Sequence, residues 1–234
     1  MRVLRMAVVI VGAFVLLLAG SVAALLAVLN DENYRHIATY LAERATGRAV
    51  TIEGPFSFHL GLEPSLSASD IWVANPPWAS QPDLARIGHL EVLLALRPLL
   101  SGALLIPRLV LEDADFELEK GADGKTNWVM PPAGGRGLVP VLGTVALRNV
   151  GWHYRDQATG RKTSIALGHL TLENVGNVAR LDGDGMWDGQ QIGAKGEFGT
   201  LAQALDPTKP FPIDLSVSLP ALELTVHGTV ANPV

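Results

Sequence analysis

Six histidines, at 36, 59, 89, 153, 169 and 227, are the first residues to test for chemistry. None stands in an H-E-x-x-H pattern or at a paired spacing suited to zinc. His89 and His169 each follow a glycine and precede a leucine at the start of an alternating run, which reads as a solvent-facing strand position. The segment LDGDGMWDGQQIG opens like a calcium loop with Asp182, Asp184 and Asp188. The twelfth position counted from Asp182 is Gly193, however, where such a loop needs a bidentate glutamate. The paired carboxylates Asp113/Asp115 and Glu117/Glu119 each share one side of a strand; alternation with Phe116 and Leu118 makes that side the solvated one. No G-x-S-x-G elbow, phosphate-binding loop or G-x-G-x-x-G follows a strand, and Gly134-Gly135-Arg136-Gly137 lacks the Lys and Ser/Thr of a P-loop. Cysteine is absent, which removes thiolate and disulfide chemistry. The reading is a protein with no catalytic residues, no metal and no cofactor.

The elements behind these residues begin with an apolar run. Met6 to Leu29 holds 24 residues without a charge. As a helix it extends roughly 36 Å, enough to cross a hydrocarbon core of about 30 Å. Arg2 and Arg5 precede it and Asp31 and Glu32 follow. The positive-inside rule therefore places the N-terminus in the cytoplasm and the bulk across the membrane. The run continues past the small residues at 21–23 that imitate a cleavage site, so an uncleaved anchor is expected over residues 1–30. Net charge is −5 and no basic tract occurs, which argues against nucleic acid as a partner.

Asn30 to Gly47 reads as a helix, with Tyr34, Ile37, Leu41 and Ala45 as its apolar stripe, Arg35, Glu43 and Arg44 on its other face, and Gly47 as its left-handed stop. The stripe is expected to pack on the sheet that follows; the alternative is a helix at the membrane surface over the mouth of a cavity. From Arg48 the pattern alternates, predicting strands near 50–52, 56–62, 66–73, 87–96, 104–111, 114–120, 142–150, 151–155, 164–172, 192–198, 213–219 and 222–230. Turn signals are Gly54-Pro55, Asp123-Gly124, Asp182–Gly185 and Pro207, with added helical turns at Arg97–Ser101 and Leu201–Leu205. Met130–Pro140, dense in Gly and Pro, is the internal boundary. It separates residues 31–132, helix plus sheet, from a continuing β segment over 133–234. Mostly antiparallel β is the expected class.

Particular residues then become informative. Thr46-Gly47-Arg48-Ala49-Val50-Thr51-Ile52-Glu53-Gly54 resembles the TGR-x-V-x-I-x-G opening of the AsmA family of bacterial envelope proteins. Pro64 and Asp70 to Ala79, with NPPWA at 75–79, resemble its next segment. Leu96-Arg97-Pro98-Leu99-Leu100-Ser101-Gly102 is similar to its PLL-x-G turn, and Asp123-Gly124-Lys125-Thr126-Asn127-Trp128 to its DG-x-x-NW element. Trp152-His153-Tyr154-Arg155-Asp156 with Thr159-Gly160 resembles its Y-x-D…TG hairpin. The likeness is looser from about Val175 on. Family members usually continue beyond this length, so the chain resembles an N-terminal portion or a short member.

The resemblance implies a single-pass inner-membrane protein with its bulk in the periplasm, related to bridge-like lipid-transfer proteins with a chorein-type N-terminal region. It implies a long twisted sheet curling into an open trough that holds phospholipid acyl chains, and a role in lipid traffic between inner and outer membranes and in outer-membrane integrity. The alternative is a non-catalytic scaffold for outer-membrane protein assembly, with outer-membrane or periplasmic protein partners. Groove contacts are assigned to the apolar positions of the early strands: Val50, Ile52, Phe56, Phe58, Leu60, Ile71, Val73, Leu109 and Leu111. Trp78 and Trp128 are assigned as packing anchors of their turns.

Overall fold

The computed structural model describes residues 31–61, 63–96, 105–129, 141–200, 203 and 210–230. The expected anchor, the helical turn at Arg97–Ser101, almost all of the turn at Leu201–Leu205 and the boundary at Met130–Pro140 lie outside the described residues. Among those described, no helix is long and apolar enough to cross a membrane.

Helix α1, Asp31–Thr46, carries Asp31 and Glu32 in its first turn and Arg44 in its last, charges that suit the helix dipole. It ends at Gly47, whose φ of 64° takes the chain out of the helix. Eleven strands follow: β1 Val50–Ile52, β2 Phe56–His59, β3 Ser65–Ala74, β4 Asp83–Ala95, β5 Leu105–Lys120, β6 Val141–Asp156, β7 Lys162–Val175, β8 Val178–Trp187, β9 Gln190–Gly199, β10 Phe211–Leu219 and β11 Leu222–Val230. All belong to one open sheet in the order β1-β3-β4-β5-β6-β7-β8-β9-β10-β11, with β2 beside β1 on the same edge of β3. Because β1 and β2 share a rank, the sheet is ten ranks deep, about 45 Å along the hydrogen-bonding direction. Both sides of the Met130–Pro140 boundary contribute to this one sheet.

The expectation of an antiparallel sheet needs one correction. β5 and β6 run parallel, in register from Leu105↔Val141 to Lys120↔Asp156, so the sheet is mixed. Parallel neighbours need a long return connection, and residues 121–140 supply it. Two other expectations also change. The strands drawn as 104–111 and 114–120 are one strand, as are 142–150 and 151–155. Asp182-Gly183-Asp184-Gly185 is not a turn but the middle of β8.

The merged strands share a cause. Pairing skips Asp70 opposite Gly88, Gly88 opposite Asp113, Asp113 opposite Asn149 and Asn149 opposite Gly168, yet the register is the same on both sides of each gap. Asp70, Asp113 and Asn149 have φ of 52°, 53° and 50°. One extra residue at the same level of five neighbouring strands makes a row of β-bulges across the sheet. It stops at β8, which has no matching extra residue, so that the register shifts between Leu167 and His169. Each bulge bends its strand and advances the alternation by one residue. Apolar residues on one face are consequently three apart across the row: Ala68/Ile71, Ile87/Leu90, Leu111/Ala114, Leu147/Val150 and Leu167/Leu170. A Cβ on Gly88 would sit 2.8 Å from the Asp113 Cβ, which is why the fourth strand keeps a glycine there.

Helix α1 packs on one end of the sheet, and its inward side differs from the expected stripe. Tyr34, Ala38 and Ala42 lie against the buried cluster Val50, Phe56, Ala68 and Ile71, while Ile37 and Leu41 are exposed. Arg35 and Glu43, expected outside, turn inward and use the backbone of β1: Arg35 Nη1 donates to the Ile52 carbonyl at 3.4 Å and Val50 N–H to Glu43 Oε1 at 3.2 Å. Small alanines let the helix approach the sheet closely, a gain that the larger Ile37 and Leu41 would forbid.

Candidate functional site

Cross-strand partners point to the same side of a sheet, so the register sorts every strand residue onto one of two faces. From the Val50↔Val73 and Ile52↔Ile71 pairs the first face passes through Ala85 and Ile87, Ala114 and Phe116, Val150 and Trp152, Ile165 and Leu167. It continues through Trp187, Ile192, Ala194, Val217 and Leu224 to the last strand. This face is predominantly apolar along the sheet, its polar residues Lys120, Asp156, Thr163, Asn174 and Gln190 lying near strand ends. The opposite face carries Ser67, Glu91, Arg108, Glu112, Arg148, His169, Asp182, Lys195, Asp214 and His227, interrupted by Trp72, Val110 and Met186.

Eight of the nine nominated residues fall on the apolar face: Val50, Ile52, Phe56, Phe58, Ile71, Val73, Leu109 and Leu111. Leu60 does not; it follows the end of β2 and is 53% exposed. The eight divide by cover. Val50, Phe56 and Ile71 are buried beneath α1, with Ile52, Phe58 and Val73 packed against them and the Tyr34 and Phe58 rings 4.7 Å apart. Leu109 and Leu111 lie beyond the helix and are half-buried. The substantial contacts between elements are those of adjacent strands and of α1 with β1 and β2, so from β4 onward no described element covers the apolar face. The positions that sequence reasoning did not nominate are the later ones: Phe116 and Trp152, stacked at 5.7 Å, then Leu167, Leu215, Val217 and Leu224. For Phe116, Trp152 and Leu167 the signal that could have found them is the three-residue apolar spacing at each bulge; for Leu215, Val217 and Leu224 it is plain alternation.

Two observations describe the curvature of this face. Ala114 and Val150 are each 1% exposed although they sit on the face that no described element covers. A Cβ on Gly185 or Gly196, which are on the same side, would collide with the carbonyl oxygen of Ala166 or Asp214 on the adjacent strand. The neighbouring backbone therefore leans over the apolar side at those points.

The polar motif residues Arg48, Asn75, Asn127 and Arg155 meet at one end of the strands rather than on the apolar face. Asn127 is fully buried; its Nδ2 donates to Asn75 Oδ1 at 2.8 Å and to the Glu117 carbonyl at 2.6 Å, while Glu119 N–H donates to its Oδ1 at 2.7 Å. Asn75 in turn donates to the Gln81 and Asp83 carbonyls, and Arg48 Nη2 to the Asn127 carbonyl at 2.9 Å. Ser80 gives both N–H and hydroxyl to Glu119 Oε2, Gln157 Nε2 reaches Glu119 Oε1 at 2.8 Å, and Arg155 Nη1 reaches Ser80 Oγ at 2.9 Å. Burial pulls the Glu119 carboxyl upward, but these donors and the Arg155 charge outweigh it and hold it below the usual carboxylate range. Trp78 lies beside Gly121 and Trp128 stands 6.0 Å from Tyr154, each at the edge of this clasp.

The AsmA family profile matches residues 1–130, more than half of the chain. The chain belongs to the AsmA family. Among curated proteins no match is found. Membership points to an envelope-related, membrane-associated protein. The matched span covers the opening, NPPWA and DGKTNW segments, so what these family elements build in this AsmA chain is a buried polar clasp that ties the turn after β3 to the ends of β5 and β6.

On the polar face of the AsmA sheet the chemistry-bearing side chains pair with one another. His169 Nε2 lies 2.9 Å from Asp182 Oδ1 and its Nδ1 faces Asp184, while Lys195 Nζ is 3.2 Å from Asp182. They line a shallow open depression of about 380 Å³. The hydrogen bond to Asp182, then both carboxylate charges, raise the His169 pKa above its ordinary value despite some desolvation. Asp188, at φ 48°, accepts from Ser164 N–H at 2.6 Å and shapes the turn after β8. The three aspartates of the calcium-like segment are thus split between an ion-pair cluster and a turn. His153 pairs with Asp115, His227 with Asp214, and His89 with Ser69.

Proposed function

We propose that the uncovered apolar face is the floor of an open trough that holds phospholipid acyl chains, and that the chain is an anchored periplasmic carrier between inner and outer membranes. The observation that carries this reading is the unbroken apolar face from β4 to β11 with no described element over it. A face of that extent is not left to water. Acyl chains suit it because they need apolar contact and no specific polar partner, and the polar side chains of this face are confined to strand ends. The polar outer face and the clasp serve the shape of the trough, and the reading assigns the chain no catalytic chemistry. A sheet about 45 Å deep lifts lipid out of a bilayer and hands it on to a further segment or partner.

Photo-crosslinking in a Gram-negative host tests the reading. Benzoylphenylalanine at Leu111 or Leu215 of the full chain is expected to yield phospholipid adducts, and at Glu112 or Ser216, on the opposite face, none. Protein adducts at Leu111 and Leu215 without lipid would favour the assembly-scaffold alternative. Phe56 and Ile71 are poor probes, because α1 seals them.

A further inference from the structure

Helix α1 has two apolar sides, and the sheet uses only one of them. Tyr34, Ala38 and Ala42 face the core. On the outward side Ile37, Tyr40 and Leu41 are 47%, 57% and 57% exposed. Their i, i+3, i+4 spacing makes a single stripe, and Arg44 at i+7 extends it, donating from Nη1 to the Tyr40 hydroxyl at 3.2 Å. Aliphatic side chains beside a tyrosine and an arginine are the composition of a helix lying in a membrane interface. The charge-free run Met6–Leu29 ends two residues before α1 begins.

We propose that the outward stripe of α1 seats on the surface of the bilayer that holds Met6–Leu29, and so docks the β1 end of the sheet against the membrane. The inference rests on the membrane-anchored reading above. Size decides the occupant. Three side chains on one helix fall well short of the ~800 Å² per partner of a stable protein interface. A surface to which the chain is already tethered is met at high effective concentration, so a small apolar contact suffices. Because the inward side of the same helix seals β1 to β3, bilayer, helix and sheet stack in that order. The uncovered apolar face then begins at β4, about one helix diameter, ~10 Å, from the lipid surface.

The chain contains no cysteine, so single-cysteine variants take a nitroxide label without background. The full chain in nanodiscs of phosphatidylethanolamine and phosphatidylglycerol is labelled at Ile37→Cys, Leu41→Cys, Val15→Cys and, on the polar face of β11, Thr225→Cys. Oxygen exceeding a water-soluble nickel chelate in relaxing the labels at 37 and 41, with the reverse at 225, is the expected result. Labels at 37 and 41 that behave like 225, while the label at 15 reports lipid, would overturn the seating and leave the anchor standing. Shielding of 37 and 41 from both reagents would mean a protein partner and would also overturn it. A chelate-accessible label at 15 removes the anchor, and the seating with it.

Discussion

Asn127 donates its side-chain N–H to the side-chain oxygen of Asn75 at 2.8 Å, joining two turns 52 residues apart in sequence. The same carboxamide serves two backbone groups of β5. Asn127→Ala would leave Glu119 N–H, the Glu117 carbonyl and the Asn75 side-chain oxygen without that partner. The expected cost is about 2–3 kcal/mol, since each orphaned buried group costs on the order of 1–3 kcal/mol. Chemical denaturation measures it, and a loss under about 0.5 kcal/mol would show that the clasp contributes little.

Glu119 gives the clasp a pH dependence of known sign. Its folded pKa lies below the ordinary glutamate value of 4.5, so it stabilises the fold above about 4.5 and loses that contribution as the pH falls through the folded pKa. Glu119→Gln is expected to melt lower than wild type at pH 7 and to show a smaller further drop in Tm between pH 5 and pH 3. Equal drops in both proteins would assign the acid sensitivity elsewhere, Asp156 being the next candidate because N–H donors at Thr159 and Ala158 lower its pKa as well.

The bulge row separates two otherwise similar glycines. A Cβ on Gly88 meets the Asp113 Cβ at 2.8 Å and the Asp113 carbonyl at 3.1 Å, whereas on Gly168 it meets only the end of the Asp184 side chain at 3.0 Å. Backbone cannot step aside and a carboxylate can. Gly88→Ala is therefore expected to cost about 1–3 kcal/mol, the range for overpacking, and Gly168→Ala under half as much. Thermal melts of the two variants decide; equal losses would mean the backbone at the row is pliant.

Adjacent residues of β11 test the two faces. Leu224, on the apolar side, is 48% exposed and Thr225 faces the other way, both without burial that a charge would disrupt. Leu224→Asp is expected to lower the phospholipid recovered with the full chain severalfold, and Thr225→Asp to leave it unchanged, with similar Tm in both. Identical lipid content in the two variants would count against the trough.

Much of this could be read from residue order. Period-2 alternation placed most strands, and β11 at Leu222–Val230 agrees to the residue. Several residues behind the family resemblance, Arg48, Asn75, Asn127 and Arg155, prove to share one clasp. Four things were hidden for physical reasons. A bulge breaks alternation without ending a strand, so β5 and β6 each looked like two. In Asp182-Gly183-Asp184-Gly185 the glycines stand on the apolar side in place of larger residues, because Gly185 has no room for a Cβ, and a strand therefore resembled a turn. On α1 both sides carry apolar residues, and close approach favours the alanines over the larger Ile37 and Leu41. The parallel pairing of β5 and β6 has no local signature, since strand direction depends on where a long connection leads.

The row of bulges also answers a problem peculiar to a sheet of this build. A strand that slips by two residues, roughly 7 Å, keeps every side chain on its proper face, and a hydrophobic pattern alone barely penalises the error. Most sheets are corrected by a second layer whose side chains interlock with the first; from β4 onward none of the described elements offers one here. A slip would bring Gly88 or Asn149 against regular backbone and Asp113 against a residue with a side chain of its own. The row thus works as a set of alignment marks, proofreading the assembly of β3 to β7 one neighbour at a time.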